Sequence, residues 1–182
     1  MITLQPQERI HLLKRRHPLV LKFRIFPLIS ISFLFFLLFL FFLSHSIPWP
    51  QFLAKNFPTV LNLKINSIFA FLFSLALPIL LSLISFEITK YYLTYWIVTN
   101  QRIIEARLIG LFNVQYSTIE LDKIQDMRVQ IKGILQSLFR FGNLIIQTAA
   151  EKGEFVLDQI GDPELIKQVI FEAKIDYQKT KA

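Results

Sequence analysis

Two stretches without a charged side chain constrain this chain more than anything else in it. Ile25 to Leu43 gives 19 such residues, and Ile65 to Phe86 gives 22 more, closed by Lys64 and Glu87. A helix rises 1.5 Å per residue against a hydrocarbon core of about 30 Å, so roughly 20 residues suffice to span it. Neither stretch has a polar face at helical spacing, and a chain of 182 residues has too little other material to bury two such helices in a soluble core. Two membrane spans are therefore expected. The rival reading of the first, a cleaved signal peptide, calls for about 7 to 15 apolar residues ending in small ones. This run is longer and meets Ser44, His45 and Ser46.

Charge and aromatic content divide the chain in the same way. Fourteen of the 19 Phe lie between Phe23 and Phe86. Residues 1–86 carry eight Lys/Arg and one acid, whereas 87–182 carry twelve of each sign, so the formal charge of +7 belongs to the apolar half. Nucleic-acid binding needs a basic folded surface, and the neutral C-terminal half does not offer one. With no Cys there is no disulfide framework, thiol nucleophile or thiolate metal site.

Arg9, Lys14, Arg15, Arg16, Lys22 and Arg24 precede the first span, while the connecting loop holds only Lys55 and Lys64. By the positive-inside rule both termini face the cytoplasm. The expected organisation is a basic N-terminal segment (1–24), a two-span hairpin (25–86) and a cytoplasmic domain (87–182). The hairpin's loop, about 44–64 with Pro48, Trp49, Pro50, Phe52, Phe57 and Pro58, is expected along the outer interface. In the second span Ser67, Ala70, Ser74, Pro78, Ser82 and Ser85 fall close to one face, the kind of small-residue surface along which membrane helices approach. The expected partner of that face is the first span, crowded with Phe, with a second copy of the chain as the alternative.

The C-terminal half has a different texture. Tyr91 to Thr99 is aromatic and β-branched, Asn100 and Gln101 suit a tight turn, and Arg102 to Leu108 resumes an extended run. Further strands are expected at Val114 to Leu121, Ile124 to Ile131, Leu144 to Thr148 and Phe155 to Ile160, with Lys152 and Gly153 turning between the last two. Asp162, Pro163 and Glu164 then open a helix whose apolar stripe is Ile166, Val169, Ile170, Ala173 and Tyr177. That stripe must cover an open end of the β-structure.

The runs YWIVTNQRIIEARLIGLF, STIELDKIQDMRV and GILQSLFRFGNLIIQTA resemble the bacterial pleckstrin-homology-like domains of the DUF304 (bPH) type, over roughly Tyr91 to Phe171. The more specific parts are the Thr99, Asn100, Arg102 turn, the Ile119, Leu121, Ile124, Asp126 segment, and Phe139, Phe141, Gly142 before a strand. Ala149, Ala150 and Glu151 depart from the usual pattern. The resemblance implies a seven-stranded bent sheet capped by a C-terminal helix and attached to a pair of membrane helices. Six of the seven strands can be placed from the sequence. It also implies no enzymatic activity, and no cofactor is expected.

The residues agree with that. His11, His17 and His45 all fall outside the C-terminal half, one or two of them in sequence expected to be disordered or interfacial, so no metal triad or Ser/His pair is expected there. Glu120, Asp122 and Asp126 are expected as the solvated face of a strand and its turn. Neither span holds an ionisable residue of the kind that marks a transport pathway. Tyr91, Tyr92, Tyr95 and Trp96 read as interfacial anchors and core. A lipid clamp of the pleckstrin-homology kind would need a basic pair on one face of a strand, but Arg102 and Arg107 are five apart and fall on opposite faces.

The function expected is thus a non-catalytic interaction or assembly module at the cytoplasmic face of a bacterial cell membrane, with an unidentified protein partner beside the lipid bilayer. Recognition of anionic headgroups through Lys14, Arg15, Arg16, Arg102 and Arg107 is the alternative. A more distant one is an accessory subunit of a membrane enzyme or transporter.

Overall fold

A computed structural model describes residues 4–5, 7–45, 64–110, 113–148 and 154–181. The loop expected along the interface lies almost wholly outside these, as do the Lys152–Gly153 turn and the Ala149–Glu151 departure. The chain forms two compact units, residues 22–88 in one and residues 1–21 together with 89–182 in the other.

Two long helices, α1 (Pro18–Ser44) and α2 (Ile65–Leu93), contain the apolar stretches, and both are long and apolar enough to cross a membrane. They pair with each other through aromatic rings. Phe42 stacks on Phe69 and Phe73 at 4.8 and 5.5 Å, and Phe35 meets Phe73 edge-on at 5.3 Å. Polar contacts close both ends: Asn66 Nδ2 donates to the Phe42 carbonyl (3.3 Å), and Arg24 pairs with Glu87 (3.4 Å). The expected intramolecular pairing is present, but not through the small-residue face. Of that face only Ala70 is buried, whereas Ser67, Pro78, Ser82 and Ser85 are exposed. The hydroxyls of Ser74 and Ser82 donate to carbonyls of their own helix. A serine can satisfy itself in this way, so the bulkier aromatic stripe, which gains more dispersion contact per turn, makes the helix pair.

The other unit is mainly β. Strands β1 (Ile10–Arg15), β2 (Tyr95–Thr99), β3 (Arg102–Ile109) and β4 (Asn113–Glu120) form a four-stranded antiparallel sheet in that order. A 3-10 turn (Leu121–Lys123) leads to a second antiparallel sheet, β5 (Ile124–Gln130), β6 (Phe141–Thr148) and β7 (Glu154–Gly161). A five-residue helix, α3 (Ile134–Leu138), interrupts the β5–β6 connection, and α4 (Pro163–Lys181) follows β7. The sheets join where Arg16 bridges to Ile160 and the His17 N–H donates to the Gln159 carbonyl (2.7 Å).

The N-terminal segment, expected to lie outside the folded domain, thus supplies the seventh strand. It pairs along β2 from Ile10↔Thr99 to Arg15↔Tyr95, and the apolar hairpin is inserted between these two neighbouring strands. His11 and His17, expected outside the folded half, belong to this folded unit, where His17 stacks on Phe141 at 5.0 Å. Two boundaries also move. Tyr91–Leu93 continue α2, so β2 begins only at Tyr95, and β6 starts at Phe141, before the expected Leu144.

One core holds the unit together. Trp96, Val98 and Ile103 from the first sheet meet Leu144, Ile146, Leu157 and Ile160 from the second, and Ile166, Ile170 and Ala173 of α4 close them off. The expected helical stripe is the buried one, with Val169 and Tyr177 at its half-buried margin. Lys174 Nζ donates to the Ile124 carbonyl (2.6 Å) at the same seam. Gly142 is required where β6 passes β5, because a Cβ there would stand 2.7 Å from the Gln130 carbonyl oxygen.

Ile170 is fully buried. Ile170→Asp places an unpaired carboxylate in that core and is expected to cost several kcal/mol of a total of about 5 to 15. Limited proteolysis of membranes should then degrade the C-terminal half rapidly while the hairpin stays inserted. Wild-type resistance would show that α4 is not docked.

Candidate interaction site

The turn joining β2 to β3 recruits the residues preceding β1. Glu8, whose side chain is wholly buried, accepts from Arg102 in a two-pronged ion pair: Nε to Oε1 at 2.8 Å and Nη2 to Oε2 at 2.9 Å. The Gln5 N–H donates to Oε2 (2.8 Å). The Thr99 hydroxyl accepts the N–H groups of Gln101 and Arg102, and its single proton is shared between Glu8 Oε1 (2.9 Å) and the Arg102 carbonyl (2.8 Å). Asn100 completes the clasp by accepting from the Arg9 N–H (2.8 Å) and donating to the Gln7 carbonyl (3.2 Å).

A second charged network crosses between the sheets. Glu105 points inward beside its cross-strand partner Trp96, whose Nε1 donates to it (3.2 Å). Arg107 Nη2 lies 2.7 Å from Glu105 and 3.4 Å from Asp158 of β7, and Arg16 donates to the same Asp158 oxygen (3.3 Å). Two arginines and two carboxylates thus neutralise one another. Of the other candidate contacts, Lys14 sits half-buried on β1, and the Arg15 guanidinium lies 5.4 Å from the centroid of the Tyr92 ring. Arg102 and Arg107 do fall on opposite faces of β3, but the decisive point is that each has carboxylate partners inside the fold.

Beside Glu105 and Arg107 opens a cleft of about 790 Å³ between the β3–β4 side of one sheet and the β6–β7 side of the other. Among the described residues its walls are Ile109, Ile119, Phe155 and Val156 with Gln115, Ser117, Thr118 and Thr148, and Glu154 at the rim pairs with Arg128. Among the described residues, the charged groups lining it are two acids and one arginine.

A bent pair of sheets of four and three strands capped by a C-terminal helix, with two apolar helices on the same chain, matches the bacterial PH domain family (bPH_2) over residues 27–174. The chain belongs to that family. The matched region starts inside α1 and so leaves out β1. Among solved structures, the chain is similar to a DUF1696 family protein with a pleckstrin-homology domain from Shewanella loihica PV-4. That similarity is at 18% identity and a TM-score of 0.37, over 44% of this chain and 70% of the other. No curated protein matches.

Within the PH domain, sequence reasoning singled out Arg102 and missed Glu8, whose role depends on a partner 94 residues away. The Arg102 hydrogen bonds hold the Glu8 carboxyl below the usual carboxylate range despite the opposing effect of burial, and Glu8 in turn raises Arg102. A depressed carboxylate stabilises the fold above its unfolded pKa, and that contribution is lost as pH falls through its folded value. Breaking a buried ion pair from one side costs about 3 to 5 kcal/mol. Glu8→Gln is therefore expected to lower domain stability by about that much at neutral pH. The gap from wild type should shrink as acid drops below about 4, the ordinary Glu range. Denaturant titrations at several pH values check both, and a gap independent of pH would show that the ion pair is not what holds the N-terminal segment.

Proposed function

We propose that this bacterial PH domain protein is a membrane-anchored, non-catalytic module, and that its cleft between the sheets docks a segment of a protein partner at the cytoplasmic face. One observation carries this reading. Of the basic residues named for headgroup recognition (Lys14, Arg15, Arg16, Arg102 and Arg107), Arg16, Arg102 and Arg107 are engaged by Asp158, Glu8 and Glu105, and among the described residues the cleft beside them is mixed in polarity and lined by two carboxylates and one arginine. An anionic headgroup entering there would meet Glu105 and Glu154 and would have to break existing ion pairs. A polypeptide needs the opposite, namely apolar wall for its side chains and hydroxyl and amide groups for its backbone. Photocrosslinking from Ser117 in the full chain in its membrane tests this. A discrete protein adduct, absent when the crosslinker stands at exposed Gln178, is expected. Adducts to lipid alone would favour headgroup recognition.

The cytoplasmic placement rests on two independent arguments. β1 precedes the hairpin and β2 follows it, so strands that pair must lie on one side of the bilayer, which requires an even number of crossings. The surplus of basic residues before the first span then selects the cytoplasmic side. Cysteines can be introduced without background, because the chain has none. An impermeant thiol reagent applied to intact cells is expected to label position 56 and to spare positions 5 and 180. The reverse pattern would put the domain outside.

A further inference from the structure

The β5–β6 connection exposes more apolar surface than a water-facing loop has reason to. Ile134 is 86% exposed and Leu138 69%, with Leu135 and Phe139 beside them also exposed. These residues are not on a slack segment. Gly133 at φ 83° and Arg140 at φ 50° bracket the loop in left-handed conformations, and for arginine that carries a conformational cost. The Lys132 N–H donates to Gln136 Oε1 (2.6 Å), the Phe139 N–H to the Leu135 carbonyl (3.1 Å), and the Asp162 N–H to the Arg140 carbonyl (2.8 Å). The fold thus spends backbone strain and hydrogen bonds on holding four apolar side chains outward.

What covers them is indicated by charge and by chain connectivity. Lys132 and Arg140, both exposed, flank the apolar group on either side, the arrangement that suits a lipid surface carrying anionic headgroups over a hydrocarbon layer. The loop returns to β6 at Phe141, and Phe141 carries the stacked ring of His17, the last residue before α1 begins at Pro18. The uncharged run starts only a few residues further on, at Ile25. Residues 18–24 are all that separates the His17–Phe141 contact from the uncharged run along the chain.

We propose that residues 132–140 form a membrane-inserting loop, with Ile134, Leu135, Leu138 and Phe139 buried among lipid acyl chains and Lys132 and Arg140 at the headgroups. The test uses the full chain in vesicles of phosphatidylcholine and phosphatidylglycerol, with an environment-sensitive fluorophore on Leu138→Cys or, as the water-facing control, on Gln178→Cys. Both positions are exposed, so neither substitution disturbs the core. The Leu138 label is expected to be quenched by lipids bearing a spin label on the acyl chain and to be shielded several-fold from aqueous iodide relative to the Gln178 label. Iodide quenching equal to that of the control would overturn the proposal. So would shielding from iodide without lipid quenching, which would place the loop against a second copy of the chain instead.

Discussion

The pairing of β1 with β2 is the interaction on which the rest of this molecule depends. The two strands are neighbours in the sheet, yet Arg15 and Tyr95 are separated by the whole apolar hairpin. Closing a flexible loop of about 80 residues would cost about 4 kcal/mol by the logarithmic scaling of loop entropy. A pre-formed antiparallel helix pair avoids most of that cost, because Arg24 and Glu87 already hold its two open ends together at 3.4 Å.

The charges on the PH domain follow from the same constraint. A strand whose pairing partner is so distant in sequence needs more than ladder hydrogen bonds to fix its register. Apolar pattern alone specifies the register of β1 weakly, since Leu12 packs against the core while Ile10 and Leu13 are exposed. The register is set instead at its two ends. At one, the Glu8–Arg102 pair and the Asn100 clasp seize the residues before the strand, and at the other, Arg16 reaches Asp158 on the second sheet. Arg16 and Arg102, which look available for an external anion in the sequence, thus serve to close the sheet.

How much of this the sequence revealed depends on the range of the signal. The spans, the β2–β3 hairpin with its Asn100–Gln101 turn, the later strands and the stripe of α4 are all written in local periodicity, and their positions hold to within a few residues. What depends on distant partners was not legible. Lys14, Arg15 and Arg16 form a charge run that is fully accounted for as a topology signal, and nothing within the segment Ile10–Arg15 marks it as a strand of a domain beginning some 80 residues later. Glu8, the single acid in the basic half, was the one available hint, since a lone carboxylate among cations weakens a topology signal and calls for another reason to be there. In α2 the serine face drew attention because small residues do pack membrane helices, but Phe69 and Phe73 on the adjoining face had larger partners to meet.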